Sequence, residues 1–255
     1  MPSTFFRAHG LGNDYLVWEG DPAVVSPAWV QRVCDRHAGV GSDGVLVPGP
    51  GLAAGAAETS VRIFNPDGSE AEKSGNGVRI YALWWSRWAG VDQFRVGTAG
   101  GIVGVRVYEQ DGECVAAEMG IARLGEPEPL AGVVTWPVNV GNPHRVVLHV
   151  PPDWCEVGAR IEVAVPGRTN VQFVEVLGLH HVRARVWERG AGRTLASGSS
   201  ACAVARVVTS LGLCTSPVQV EMEGGTLRVD VDAAGGCTID GRVVAIGHVE
   251  LDPRW

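Results

Sequence analysis

Two stretches of this chain set serine and glycine at the head of an apolar run. One is Ser74-Gly75-Asn76-Gly77, leading into Val78-Arg79-Ile80-Tyr81-Ala82-Leu83. The other is Ser197-Gly198-Ser199-Ser200, leading into Ala201-Cys202-Ala203-Val204. Each reads as a helix start. A helix N-terminus exposes unpaired N–H groups and carries roughly half a unit of positive charge, which suits a carboxylate or phosphate. Gly75 and Gly198 in the first turn let a ligand approach the backbone. Both starts therefore read as anion cradles, although either alone could be a plain serine cap worth about 1 kcal/mol. Asn65, Asn142 and Asn170 sit beside strand ends and offer donors and acceptors without charge; singly, each is by default a turn residue. Glu188-Arg189 beside an anion seat could hold both the ammonium and the carboxylate of an amino acid, or be a surface pair. His144 is an acid or base by type, with a structural role as its default.

The elements that must position these residues are mostly short strands. Ser3 to Ala8 and Tyr15 to Trp18 read as a hairpin around residues 10–14. A helix is expected over Pro27 to Arg36, with Ser26 as its cap. Strands follow at 44–48, 59–65, 94–98, 101–108 and 113–118, with 49–57 a Gly/Ala loop. Gly125 to Gly132 reads as a linker. The strand series resumes at 133–140, 145–149, 170–177, 181–188, 218–222, 226–231 and 242–251. Only the Ser-Gly stretches interrupt it, and the second is apolar nearly all round, as a helix buried on every side would be. They lie about half the chain apart, which suggests two similar units, each a strand set around a central helix. Trp84, Trp85 and Trp88 at helical spacing read as core or a domain contact. His180 and His181, adjacent in a strand, face opposite sides and read as no metal site.

Composition narrows the class. The 255 residues carry 21 Lys+Arg against 28 Asp+Glu, a net charge of −7, with 45 % hydrophobic residues. That is a globular chain rather than a disordered one, without the basic footprint of a nucleic-acid binder. Met1 to Arg7 lacks a signal-peptide layout and no run suits a membrane span, so a cytoplasmic protein is expected. The six cysteines include no CxxC pair, so no metal is expected and the thiols are read as reduced.

Taken together, several strings resemble the diaminopimelate epimerase family. They are Phe6-Arg7-Ala8-His9-Gly10-Leu11-Gly12-Asn13-Asp14, Gly39-Val40-Gly41-Ser42-Asp43-Gly44, Phe64-Asn65-Pro66-Asp67-Gly68-Ser69-Glu70, Ser74-Gly75-Asn76-Gly77-Val78-Arg79, Gly141-Asn142-Pro143-His144, Thr169-Asn170-Val171-Gln172-Phe173, Glu188-Arg189-Gly190-Ala191-Gly192 and Thr194-Leu195-Ala196-Ser197-Gly198-Ser199. The resemblance implies an α/β (α+β) fold of two pseudo-symmetric halves, each a curved, mostly antiparallel sheet around a central helix. The halves would be 1–118, joined by the strand 242–255, and 119–241. It implies an amino-acid epimerase or racemase acting without cofactor or metal on a small zwitterion held in a cleft between the halves, and a homodimer. Asn13, Asn65, Asn76, Asn142, His144, Asn170, Glu188 and Arg189 would recognise the substrate, with Gly75, Gly198 and Ser199 as the cradle. The family's acid–base pair is two cysteines, at the positions of Ser74 and Ser197.

Both members of that pair are therefore changed. A thiol of pKa ~8.5 becomes a usable thiolate at a helix start, whereas a serine hydroxyl does not ionise near neutrality. Cys202, more than a turn inside its helix, does not substitute. The two-thiol route is expected to be lost or severely slowed. Two origins fit: a deliberate double Cys→Ser change, or a natural relative keeping the cradle for another substrate or chemistry. A binder of amino acids that does not turn them over stands as the alternative function. A carboxylate-based isomerase of the PhzF type would need Glu72 or Asp67, neither at a helix start.

Overall fold

The computed structural model describes residues 3–51, 57–252, 254 and 255; Met1, Pro2 and most of the Gly/Ala loop read at 49–57 lie outside the described residues. The chain divides into two compact units, Met1–Ala117 with Arg242–Trp255, and Glu118–Gly241.

In the first unit, Thr4–Gly10 is the pivot. It pairs antiparallel with Asn13–Trp18 on one side and Val244–Glu250 on the other. The sheet continues through Val45–Gly49, Thr59–Phe64, Gln93–Thr98, Gly101–Glu109 and the start of Glu113–Ile121. The hairpin turn is tighter than expected, because Leu11 and Gly12 both take positive φ (55° and 85°) and leave Asn13 inside the ladder. Helix α1 (Pro27–Cys34) is capped by Ser26, whose hydroxyl accepts from Trp29 N, and stops two residues before the expected end. Helix α2 (Gly75–Ala89) lies against the sheet and ends on Gly90 at φ 70°. Its first nine residues are buried, including Val78, Ile80, Tyr81 and Leu83. The tryptophans at its far end are not core. Trp84 and Trp85 are partly exposed and Trp88 is 70 % exposed, stacked against its neighbours.

The second unit repeats the plan. Val133–Asn139, Pro143–Val147, Asn170–Gly178, His181–Glu188, Val218–Met222, Gly225–Val231 and Gly236–Arg242 follow in order, antiparallel except at two joints. Helix α4 (Gly198–Ser210) packs on this sheet with nine buried residues, Cys202 among them at 0 % exposure. The residues expected to form a linker instead form a hairpin. Glu128–Leu130 pairs with Val133–Thr135, and Gly125 N donates to Pro137 O at 2.9 Å. The strand series also misses helix α3 (Trp154–Ala164), whose Val157 and Ile161 join Val147, Val171 and Phe173 in a core cluster. Alternation along 170–174 explains the layering: Val171 and Phe173 face α3, and Gln172, between them, bonds into the first turn of α4. His180 lies in the turn before its strand and bonds Thr215 O (2.7 Å) and Pro217 O, while His181 reaches Glu221 (3.0 Å). Among the described residues no helix is long and apolar enough to cross a membrane.

Candidate active site

The first unit builds its station on the start of α2. Ser74 is the N-cap, extended at φ −137° and ψ 122°, and its Oγ accepts from Gly77 N at 3.0 Å. Tyr15, on the adjoining strand, places its hydroxyl 3.3 Å from the same Oγ. Gly77 is small for packing reasons: a Cβ there would sit 3.1 Å from Leu46 and 3.2 Å from Ser74. Asn76 Nδ2 donates to Asn13 Oδ1 (3.2 Å), and Asn13 Nδ2 donates to Asp43 Oδ2 (2.9 Å). Behind them Arg79, fully buried, donates from Nη2 to Asn76 Oδ1 at 2.6 Å. Arg36 joins Asp43 to Asp14, each at 2.8 Å. Burial alone would raise the Asp14 carboxyl, but the bonds from Arg36 and Arg7 prevail and hold it below its usual range. Asn13 and Asn76 are thus oriented by a charged, multiply bonded support. Asn65 is engaged elsewhere: its Nδ2 donates to Ser69 Oγ (3.0 Å), and its backbone closes the turn over Asp67 and Gly68.

The second unit builds its station on the start of α4, differently. Ser197 is extended at φ −148° and ψ 128°, but its hydroxyl makes no bond to the first-turn amides. It lies 3.5 Å from Ser199 Oγ. Thr194 Oγ1 donates to Glu188 Oε1 at 2.6 Å across the hairpin. Burial pushes the Glu188 carboxyl up from its ordinary value despite the bond from Thr194 and the nearby Ser197 hydroxyl.

The turn carrying Glu188 and Arg189 is held from two sides. Asn170, 5 % exposed, accepts from Arg189 N (3.0 Å) and donates to Pro143 O (2.9 Å), fastening three segments with one amide. Glu162 on α3 accepts from Gly190 N (2.9 Å) and from Trp187 Nε1 (2.7 Å). The Arg189 guanidinium stays exposed, with one long contact to Gly167 O at 3.4 Å. His144 is fully enclosed. Gln172 Nε2 donates to its Nδ1 (3.1 Å) and to Ser200 Oγ (2.9 Å), so the other ring nitrogen donates to Asn142 Oδ1 (2.9 Å). Burial lowers the imidazole to about 3, so the ring is neutral at working pH. Both nitrogens are occupied by protein partners, so the ring links Asn142 to Gln172, which in turn bonds Ser200 of α4. A cavity of about 320 Å³ borders Pro143, His144 and Arg145 on the Arg123–Leu124 side, and neither Ser197 nor Glu188 lines it.

Sequence reasoning missed Tyr15, Asp43, Arg79, Glu162, Gln172 and Thr194. Most of these lie inside or beside the quoted strings, so proximity in sequence was an available signal; Glu162 lay in the unrecognised helix. Among the described residues no three His, Cys, Asp or Glu side chains converge as metal ligands would.

Comparison with known proteins bears on this geometry. The family model described as diaminopimelate epimerase matches residues 5–125 and 137–250. Diaminopimelate epimerase 2 of Nostoc sp. is 39 % identical over 254 residues, covering 89 % of this chain and 88 % of that protein. The diaminopimelate epimerase of Desulforudis audaxviator is 38 % identical over 284 residues, covering 98 % of each. Among solved structures, a predicted epimerase from Pseudomonas aeruginosa superposes with a TM-score of 0.75 at 19 % identity, covering 98 % of this chain and 99 % of that one, a likeness of fold.

Proposed function

Because the chain belongs to the diaminopimelate epimerase family, we propose that it is an isomerase of the amino-acid epimerase type, acting on the α-carbon of diaminopimelate (LL to meso, in lysine biosynthesis). Ser74 and Ser197 stand, in this reading, where the family carries its acid–base cysteines. The reading includes a cytoplasmic, cofactor-independent homodimer.

The observation that carries it is the pairing of two serine–glycine helix starts with fixed polar groups, one in each unit. In the first, the α2 amides and the Asn13–Asn76 pair offer neutral hydrogen bonds to a zwitterion. In the second, the α4 amides offer a carboxylate seat, and Glu188 with Arg189 offers one group of each sign. Asn65, Asn142 and Asn170 then shape the walls, Asn170 by holding the Arg189 turn.

The proton chemistry is where this chain departs. Removing an α-proton needs a base whose pKa lies near the working pH, and a helix start brings a thiol there but not a hydroxyl. The two-thiol route is accordingly closed. The test is a calorimetric titration with meso-diaminopimelate together with turnover by the Ser74→Cys plus Ser197→Cys variant. Saturable binding by the wild-type chain, with epimerisation gained by the double variant, is the expected result. No binding and a silent double variant would mean that the site takes another ligand.

A further inference from the structure

The cavity of about 320 Å³ in the second unit is lined by neither helix-start serine. Its floor is three strands, Arg123–Leu124, Val133–Asn139 and Pro143–Val147. The middle strand pairs antiparallel with both neighbours. Asn139 stands opposite Arg123 on one side and Pro143 on the other, and Pro137 stands opposite Arg145. Residues opposite one another share a face, as do residues two apart along a strand. Arg123, Asn139, Pro137, Pro143 and Arg145 therefore share one face. Arg145 is level with Val171, which packs with α3, so this face is turned away from α4. Val165, at the end of α3, lines the cavity as well.

The lining is basic. It holds two arginines and no Asp or Glu, in a chain of net charge −7. Arg123 is exposed and, among the described residues, pairs with no carboxylate. Arg145 is only 13 % exposed and forms an ion pair with Glu128. That approach brings the charges together without a well-directed hydrogen bond, and Arg145 Nη1 is left buried and unsatisfied. Glu128 is 52 % exposed, so it can swing aside for another carboxylate. Asn139 Oδ1 accepts from Gly141 N (2.8 Å), which leaves its amide N–H groups to donate.

We propose that this cavity is a second ligand site, one that takes an aliphatic dicarboxylate of roughly four to six carbons, with one carboxylate on Arg123 and Asn139 and the other on Arg145. The two arginines stem from strands two spacings apart, roughly 10 Å. Their long side chains and a short methylene chain bridge that distance together, whereas one small anion meets only one of them. Each guanidinium presents paired N–H donors that match the two oxygens of a carboxylate. Pro137, on the strand between the arginines, gives the methylenes an apolar surface. The site is independent of the reading of the helix starts given above.

Calorimetry of the full chain with adipate, in low-salt buffer, tests the proposal. Adipate carries the two carboxylates and no ammonium group. The wild-type chain should bind it saturably, and more weakly as salt is raised. Arg123→Gln removes an exposed charge and should weaken binding about tenfold or more, with thermal unfolding unchanged. Glu128→Gln should tighten binding severalfold, because it removes the carboxylate that competes for Arg145; a purely structural ion pair predicts no such gain. Arg189→Gln, at the other site, should bind adipate as the wild type does. Inorganic phosphate should bind about tenfold more weakly than adipate, since it reaches one arginine only. No saturable binding by the wild-type chain would overturn the proposal. So would an Arg123→Gln variant of unchanged affinity, a Glu128→Gln variant that binds no tighter, loss of adipate binding in Arg189→Gln, or phosphate binding as tightly as adipate.

Discussion

Mild acid should destabilise this protein through one residue, His144. Its ring is buried, and burial is the main reason its pKa falls from 6.5 to about 3, helped by the charge of Arg189 and opposed by the contact with Gln172. In the unfolded chain the same imidazole titrates near 6.5. Between those values the unfolded state binds a proton that the folded state refuses, so this contribution to stability is full above pH 6.5 and declines as the pH falls toward 3. At pH 5 the gap spans 1.5 pH units, and at 1.36 kcal/mol per unit the loss is about 2 kcal/mol, a large share of a typical 5–15 kcal/mol. His144→Gln keeps a neutral group that can pair with Asn142 and Gln172 but cannot charge in either state. Urea unfolding of both proteins at pH 8 and pH 5 supplies four free energies. The wild-type protein should lose about 2 kcal/mol more than the variant between the two pH values. Glu188, displaced the other way, favours the fold at low pH, but it is present in both proteins and cancels from the comparison. Equal losses in the two proteins would show that the ring already protonates in the folded state, and that the neutral tautomer linking Asn142 to Gln172 is wrong.

Two substitutions probe the supports of the stations. Asn170→Ala strips partners from Pro143 O and Arg189 N, so unfolding should register a loss of about 1–3 kcal/mol per buried group left unpaired, and calorimetry a weaker substrate complex because the Arg189 turn is released. A variant as stable as wild type would mean that water replaces the amide at no cost. Ser74→Ala deletes the cap bond to Gly77 N and should cost about 1 kcal/mol in thermal or urea unfolding; no change would show that the α2 start is held by packing alone.

How much of this could be seen in the sequence depends on the range over which each feature is encoded. Helix starts are local: Ser26, Ser74 and Ser197 each mark one, because a capping residue and a following apolar run lie within a single turn. Strands with strict alternation are local too, and the mixed α/β plan of two helix-centred units follows from them. Helix α3 was hidden for a physical reason. It carries a glycine and several β-branched residues, a poor propensity record, and the glycine is there because a Cβ at 158 would stand 3.1 Å from the Trp187 ring. That requirement is written in a different strand. The linker reading failed likewise, since Gly125-Glu126-Pro127 looks like a boundary until its backbone finds Pro137.

The same division runs through the site. The sequence marks Asn170, Glu188 and His144 as polar residues beside strand ends, but what each side chain does is set by partners at long separation. Gly190 meets Glu162 and Gln172 meets Ser200 each across 28 positions, and Asn76 meets Asn13 across 63. Strand pairing and helix packing make those meetings. Asparagine side chains that composition alone would class as turn formers therefore become ties between segments, and a histidine that looked free to titrate becomes a neutral spacer. The difference between Ser74 and Ser197 belongs to the same class. Both occupy one motif, yet only the Ser74 hydroxyl accepts a bond from its helix's first turn while that of Ser197 lies by Ser199, so residue type at the two positions predicts one cap and their surroundings specify two different settings.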